Sequence, residues 1–141
     1  MLTEFKVSNF LSFDEEQTFS MEAGKVRSKI DRVYMKGNFK LLKFMAIYGA
    51  NASGKSNLVF AFDFAQTIIT SGVPTSCNNC YCRLNDYNKN KPSHFEFTIK
   101  IGSDKYIYGF DLLLSSANFL TEYLKQVRNG TTYKTIFYRD I

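Results

Sequence analysis

The stretch that most constrains this chain is Gly49-Ala50-Asn51-Ala52-Ser53-Gly54-Lys55-Ser56, with Asn57 directly after it. Its spacing, G-x-x-x-x-G-K-S, is the P-loop or Walker A pattern, which has structural meaning only between a strand and a helix. Upstream, Lys43-Phe44-Met45-Ala46-Ile47-Tyr48 is a short apolar run of the kind a buried strand makes. Downstream, Asn57 to Thr70 is rich in Leu, Phe, Ala and Ile and holds no Gly or Pro, so a helix can run through it. Residues 42–70 are therefore expected to be strand, loop and helix.

The residue types in this stretch suit one chemistry. Gly49 and Gly54 allow backbone conformations that a Cβ would penalise, so successive N–H groups can turn inward as an anion nest. The helix opening at Lys55 directs its partial positive end at the same point. Lys55 would bring a full charge to the β- and γ-phosphates of a nucleotide, and the Ser56 hydroxyl could ligate Mg²⁺. The expected nucleotide-binding set is thus Gly49, Ala50, Asn51, Ala52, Ser53, Gly54, Lys55, Ser56 and Asn57, with Ser56 as the metal ligand. The alternative is a chance glycine-rich turn; the complete pattern with both flanks in place favours phosphate.

At 141 residues the chain has the length of one domain with a core of its own. Hydrophobic residues make up 45% and include 14 Phe and 9 Tyr, which excludes a disordered tail. The net charge of +5 is compatible with nucleic-acid contact without establishing it, and no run of like charges forms a polybasic arm. No apolar stretch approaches the roughly 20 residues of a bilayer crossing. The N-terminus lacks a basic region followed by an apolar one, so it does not read as a signal peptide, and a cytoplasmic location is expected.

In chain order, Leu2 to Asn9 alternates with period two and Gln17 to Met21 does so again, which predicts an opening hairpin over 1–23 around the acidic turn Asp14-Glu15-Glu16. Residues 24–41 carry Lys25, Arg27, Lys29, Arg32, Lys36 and Lys40, and read as a solvated loop or as a basic loop lying over a nucleotide. The helix after the P-loop is apolar all round, with Leu58, Ala61, Phe62, Ala65 and Ile69 on one side and Phe60, Phe64 and Ile68 on the other. Such a helix is expected to be buried between layers. Ser71-Gly72-Val73-Pro74 ends it.

Residues 71–93 form a loop that holds Cys77, Cys80 and Cys82. The C-x-x-C could bind zinc with His94 as a further ligand, but structural zinc sites usually pair two such knuckles, so reduced cysteines are the expectation. A thioredoxin-like redox role lacks its βαβ surroundings. From His94 to the end the period is two, with turns at Gly102-Ser103-Asp104 and Asn129-Gly130, so 94–141 is expected to be an antiparallel meander.

The stretch Phe5-Lys6-Val7-Ser8-Asn9-Phe10-Leu11-Ser12-Phe13, taken with Gly49 to Asn57, resembles the start of an ABC-type ATPase of the SMC, RecF and OLD group. Phe95-Glu96-Phe97, Tyr106 to Phe110 and Thr121 to Leu124 resemble bacterial AAA-family ATPases of abortive-infection and other phage-defence systems. The resemblance covers essentially the whole chain. It implies an α/β (α+β mixed) fold, a P-loop NTPase of the ABC-ATPase type, in which this chain is a single N-terminal ATP-binding lobe with a mixed sheet, an antiparallel meander and one central P-loop helix. It implies ATP and Mg²⁺ as ligands, a head-to-head dimer with another ATPase lobe, and a nuclease or other effector, DNA or RNA among the partners it allows.

By the resemblance the Asn-Phe-x-Ser-Phe turn lies near the phosphates and often carries a basic residue there, where this chain has Leu11. No apolar run ending in Asp-Glu follows the P-loop, no Ser-Gly-Gly signature occurs, and His94 is the only His. By the resemblance the C-terminal catalytic lobe is absent, and no catalytic residue is identifiable. The chain would then be the N-terminal lobe of a longer ATPase, a truncated product or a fragment. Two other functions stand beside an ATPase lobe. One is a non-catalytic nucleotide-binding or interaction module. The other is a small P-loop kinase, which would need an acceptor-binding acid such as Asp63 or Asp111 and a parallel sheet of repeated βαβ units.

Overall fold

Phe5 and Val7 alternate with Glu4, Lys6 and Ser8, so a strand here presents one apolar face, and β1 (Leu2–Ser8) buries Thr3, Phe5 and Val7. The computed structural model describes residues 1–25, 28–37, 39–128 and 132–141. Antiparallel to β1 runs β2 (Gln17–Ser20), with Phe5 opposite Phe19. On its other side β1 meets β5 (Ser93–Ile101), which places Phe5 beside Phe97 and Val7 beside Phe95. From β5 the chain continues through β6 (Asp104–Leu113), β7 (Asn118–Arg128) and β8 (Thr132–Asp140), each antiparallel to its neighbour. The order across this six-stranded sheet is β2-β1-β5-β6-β7-β8. The Asn129-Gly130 turn expected between the last two strands lies outside the described residues.

One helix, α1 (Lys55–Ser71), crosses the apolar face. Leu58, Ala61, Phe64, Ala65 and Ile68 recur at helical spacing and bury against Phe5, Phe95, Phe97, Phe110 and Leu112. Phe10, carried in from the turn after β1, stacks at 5.0 Å on Phe64 and meets Phe95 edge-on at 5.3 Å. Full burial of a side chain of this size stabilises by about 1.5–3 kcal/mol, so this aromatic cluster dominates the core.

Four expectations from the sequence are corrected. The sheet is antiparallel at every described pairing rather than mixed. The polar segment 24–41 is not all loop: β3 (Val33–Lys36) and β4 (Phe39–Leu42) pair as a hairpin. The buried Val33 and Leu41 anchor it despite the surrounding Lys residues. The run Lys43 to Tyr48 forms no strand, because no other described strand lies beside it to complete a backbone ladder; Tyr48 is 88% exposed and Phe44 60%. Finally, α1 is covered on one side only, with Val59 70% exposed and Phe60 and Ile69 about half exposed. No described helix is long and apolar enough to cross a membrane.

Candidate functional site

The P-loop leaves the uncovered segment at Tyr48, turns through Ala50 to Ser53 with Ser53 N–H donating to Ala50 O (3.3 Å), and enters α1 at Lys55. Gly54 is the N-cap, with φ 88° and ψ 4°, a left-handed conformation that favours glycine. Space requires glycine there as well: a Cβ on Gly54 would stand 2.7 Å from Ser12 Oγ. At Gly49 a Cβ would stand 2.6 Å from Ser53 Oγ. Ala52 also has a positive φ of 63°, so the loop carries left-handed backbone on both sides of Ser53.

Lys55 folds back over this loop. Its Nζ donates to Gly49 O at 2.9 Å, to Ala50 O at 2.6 Å and to Ser53 Oγ at 3.3 Å. The ammonium thus spans the mouth of the loop it follows. No acidic residue stands in the first turn of α1, so the helix itself places no negative charge against an anion at its positive end. Ser56 is exposed in that turn, next to Lys55, with its hydroxyl free of any described protein partner. A cleft of about 280 Å³ is lined by Ala52, Ser53, Gly54, Lys55, Ser56 and Asn57. Of the expected set, Ala52 to Asn57 line this cleft, and Gly49 and Ala50 meet Lys55 through their carbonyls.

The second wall of this site is the turn after β1, which the resemblance alone, and no local pattern, placed near the phosphates. The turn after β1 closes by Phe10 N–H to Phe13 O (2.9 Å) and Asn9 N–H to Asp14 O (3.1 Å). It leans on the helix start, where Asn57 Nδ2 donates to Ser12 Oγ at 2.9 Å. Between turn and P-loop lies a cleft of about 620 Å³ lined by Ser12, Phe13, Asp14, Glu15, Gln17, Ala52 and Ser53. The signal available was Asn9: a buried side chain in the left-handed region, which a short amide tolerates better than most residues. Its Nδ2 donates to Asn88 O (2.9 Å) and Lys91 O (2.7 Å), and its Oδ1 accepts from Cys82 N–H (3.1 Å). Leu11 uses its N–H on Cys80 O (2.7 Å) and packs its side chain against the core.

Other candidates lie elsewhere. His94 is on the face of the sheet away from α1, with Nδ1 bonded to Asp111 Oδ1 at 2.8 Å. Burial lowers its pKa, but the bond and charge of Asp111 outweigh this and hold it above the ordinary value. Asp111 also accepts from Thr121 and is held below the usual carboxylate range: burial raises it, and the bonds to His94 and Thr121 prevail. Among the described residues no group of three or more His, Cys, Asp or Glu is placed to hold a metal, so the zinc reading of Cys77, Cys80, Cys82 and His94 finds no support. A groove of about 770 Å³ is lined mostly by apolar side chains, Phe62, Phe97, Leu124 and Phe137 among them, and by no residue of the P-loop.

With this geometry in view, one comparison with known proteins is informative. Residues 44–141, well over half of the chain, match the family described as "AAA domain, putative AbiEii toxin, Type IV TA system". The chain belongs to this AAA-domain family. The match starts in the apolar segment before the P-loop and runs through α1 and β5–β8, so the loop geometry above sits inside it. Membership carries a nucleotide-binding, ATPase-like domain. No curated protein matches the sequence.

Proposed function

We propose that this chain is an ATP- and Mg²⁺-binding lobe of an ABC-type ATPase, with Gly49 to Asn57 holding the nucleotide. The observation that carries the reading is Lys55 Nζ bridging Gly49 O and Ala50 O above a glycine-capped helix start. That ammonium already occupies the mouth of an anion nest, and a phosphate oxygen would replace the neutral carbonyls as a stronger, charge-assisted partner. Backbone N–H groups at the start of α1 would take the β-phosphate, and the Ser56 hydroxyl would face the metal. Mg²⁺ would neutralise charge on the phosphates, while the residues here position them.

Hydrolysis needs an acid to orient water, and no residue beside the P-loop is assigned that role. We therefore assign turnover to a composite site, completed by a catalytic lobe and a head-to-head partner. Support comes from two exposed apolar stretches: the segment Phe44 to Tyr48, and the outer side of α1 with Val59 and Phe60. A monomer that exposes contiguous apolar surface usually has a partner for it. A cytoplasmic role in phage defence rests on the family description and on the sequence resemblance. A P-loop kinase is disfavoured, because the described sheet is antiparallel and Asp111 is engaged by His94 and Thr121 away from the P-loop.

The test is titration calorimetry with MgATP on wild type and Lys55→Ala, with hydrolysis followed on the same samples. Loss of a charge-assisted bond costs about 1.5–3 kcal/mol, so Lys55→Ala should bind roughly ten- to a hundredfold more weakly. Binding without turnover is the expected wild-type result. Turnover by the chain alone would overturn the composite-site reading, and equal binding by both proteins would remove Lys55 from the site.

A further inference from the structure

We propose that Cys77 and Cys80 form a reversible dithiol–disulfide centre, closed by a low-molecular-weight disulfide, on the segment that supports the turn beside the P-loop. The first support is distance: the Cys80 thiol donates to Cys77 Sγ at 2.7 Å. A disulfide bond is about 2.05 Å long, so closure needs a movement of about 0.7 Å. The backbone is already folded for it. Residues Thr75–Cys77 make a 3₁₀ turn, and Cys80 N–H returns to Cys77 O at 3.0 Å.

The second support is an asymmetry of access. Cys77 and Cys82 are buried, while Cys80 is only partly so. An incoming disulfide such as oxidised glutathione therefore reaches Cys80 first. Cys80 gives up its proton to water and its thiolate attacks one glutathione sulfur, forming a mixed disulfide and releasing one glutathione thiolate, which is protonated. Cys77 then gives up its proton to water and attacks the Cys80 sulfur, and the second glutathione thiolate leaves and is protonated. Two electrons pass from the dithiol to the glutathione disulfide, and two molecules of glutathione result. Burial and the bond with Cys80 push the Cys77 thiol up to about 12, which leaves capture of the oxidant to Cys80, and it is nearness to the Cys80 sulfur that favours the second, intramolecular step.

The third support is position. Cys80 O accepts from Leu11 N–H (2.7 Å), and Cys82 N–H donates to Asn9 Oδ1 (3.1 Å), so the cysteine segment braces both sides of the turn that meets Asn57 and Gly54. Where disulfides occur in a reducing compartment they are usually transient and redox-sensing, which fits a C-x-x-C placed on such a brace.

The test equilibrates the reduced full chain in glutathione buffers of increasing oxidised fraction, then alkylates, digests and weighs the peptides. The expected product is a single Cys77–Cys80 link lighter by two hydrogens, reversed by reductant. Cys82 should stay alkylatable after unfolding, so one of the three thiols remains. Cys77→Ser, with Cys77→Ala beside it as a check on folding, should stop at a stable Cys80–glutathione adduct, and Cys80→Ser should take up no glutathione. A wild-type adduct that persists without closure, first reaction at Cys82, or three thiols unchanged in the most oxidising buffer would each overturn the proposal.

Discussion

Asn57 Nδ2 donates to Ser12 Oγ at 2.9 Å, joining a residue at the start of the P-loop helix to a turn 45 positions earlier in the chain. The same Ser12 oxygen fills the space above Gly54. One side chain thus both anchors the helix start and excludes a Cβ from its cap.

The first prediction follows from that double role. Gly54→Ala meets two penalties: left-handed backbone, at about 1–2 kcal/mol, and the clash with Ser12. Ser12→Ala relieves part of the second and none of the first. Denaturant titration should therefore show Gly54→Ala destabilising by about 2–4 kcal/mol, and by less when Ser12→Ala is present. Additive losses would show that Ser12 does not press on the cap. MgATP binding should be lost in Gly54→Ala in either background, since the displaced cap is part of the cradle.

A second prediction concerns Asn9, whose amide ties β1 to the segment 82–91. Asn9→Ala would leave Cys82 N–H and the carbonyls of Asn88 and Lys91 without their side-chain partner in a buried setting. Asn88 O keeps the Lys91 N–H (3.2 Å), so two groups are left unsatisfied at about 1–3 kcal/mol each, and the loss should reach about 2 kcal/mol or more. Asn9→Asp keeps an acceptor for Cys82 but aims a carboxylate at two carbonyl oxygens, and should be at least as damaging. Urea midpoints compare the two. A loss below about 1 kcal/mol in Asn9→Ala would mean that water takes over these bonds.

These two predictions mark how far the sequence could be read. The spacing from Gly49 to Ser56 located the loop, and the alternation of Phe95, Phe97 and Ile99 against Glu96 and Thr98 matches β5, because local period and local chemistry decide both. The Ser12–Asn57 and Asn9–Lys91 contacts depend on which distant segments the sheet brings together, and no local pattern encodes that. Lys43 to Tyr48 shows the opposite failure. Its composition is that of a buried strand, yet a strand is a relationship with a neighbour, and no described strand lies beside it. In 24–41 the density of Lys and Arg masked the two residues, Val33 and Leu41, that make a hairpin there.

The third prediction concerns pH. Asp111 is held below its ordinary value of 3.8, so its contribution to stability is present above that pH and is lost as pH falls through the lower folded value. His94 is held above its ordinary 6.5, so its contribution is full below pH 6.5 and is lost as pH rises through the higher folded value. The pair therefore stabilises most between roughly pH 4 and 6.5. Asp111→Asn should lower the His94 titration midpoint followed by NMR, and its deficit against wild type should shrink on the alkaline side. A midpoint unmoved by Asp111→Asn would assign the shift to Glu96 and Glu16, the other carboxylates that act on His94.

The last prediction tests why β6 has a glycine in its middle, where a strand ordinarily loses stability for having one. The Tyr123 ring lies flat over Gly109: a Cβ there would stand 2.5 Å from the ring carbon that bears the hydroxyl. From that position the Tyr123 hydroxyl donates to Glu96 at 2.5 Å, and Lys6 completes the group at 3.0 Å from the same carboxylate. Gly109→Ala must push the ring off the strand and break its bond to Glu96, at about 1–3 kcal/mol for overpacking. The Tyr123 hydroxyl would stand as close to that Cβ, at 2.5 Å, so Tyr123→Phe, which keeps the ring carbon, should give only partial relief, whereas Tyr123→Leu should let Gly109→Ala become neutral or stabilising. A double-mutant cycle by thermal unfolding separates the cases. If Gly109→Ala costs the same beside Tyr123 and beside Leu at that position, the glycine serves the backbone rather than the ring.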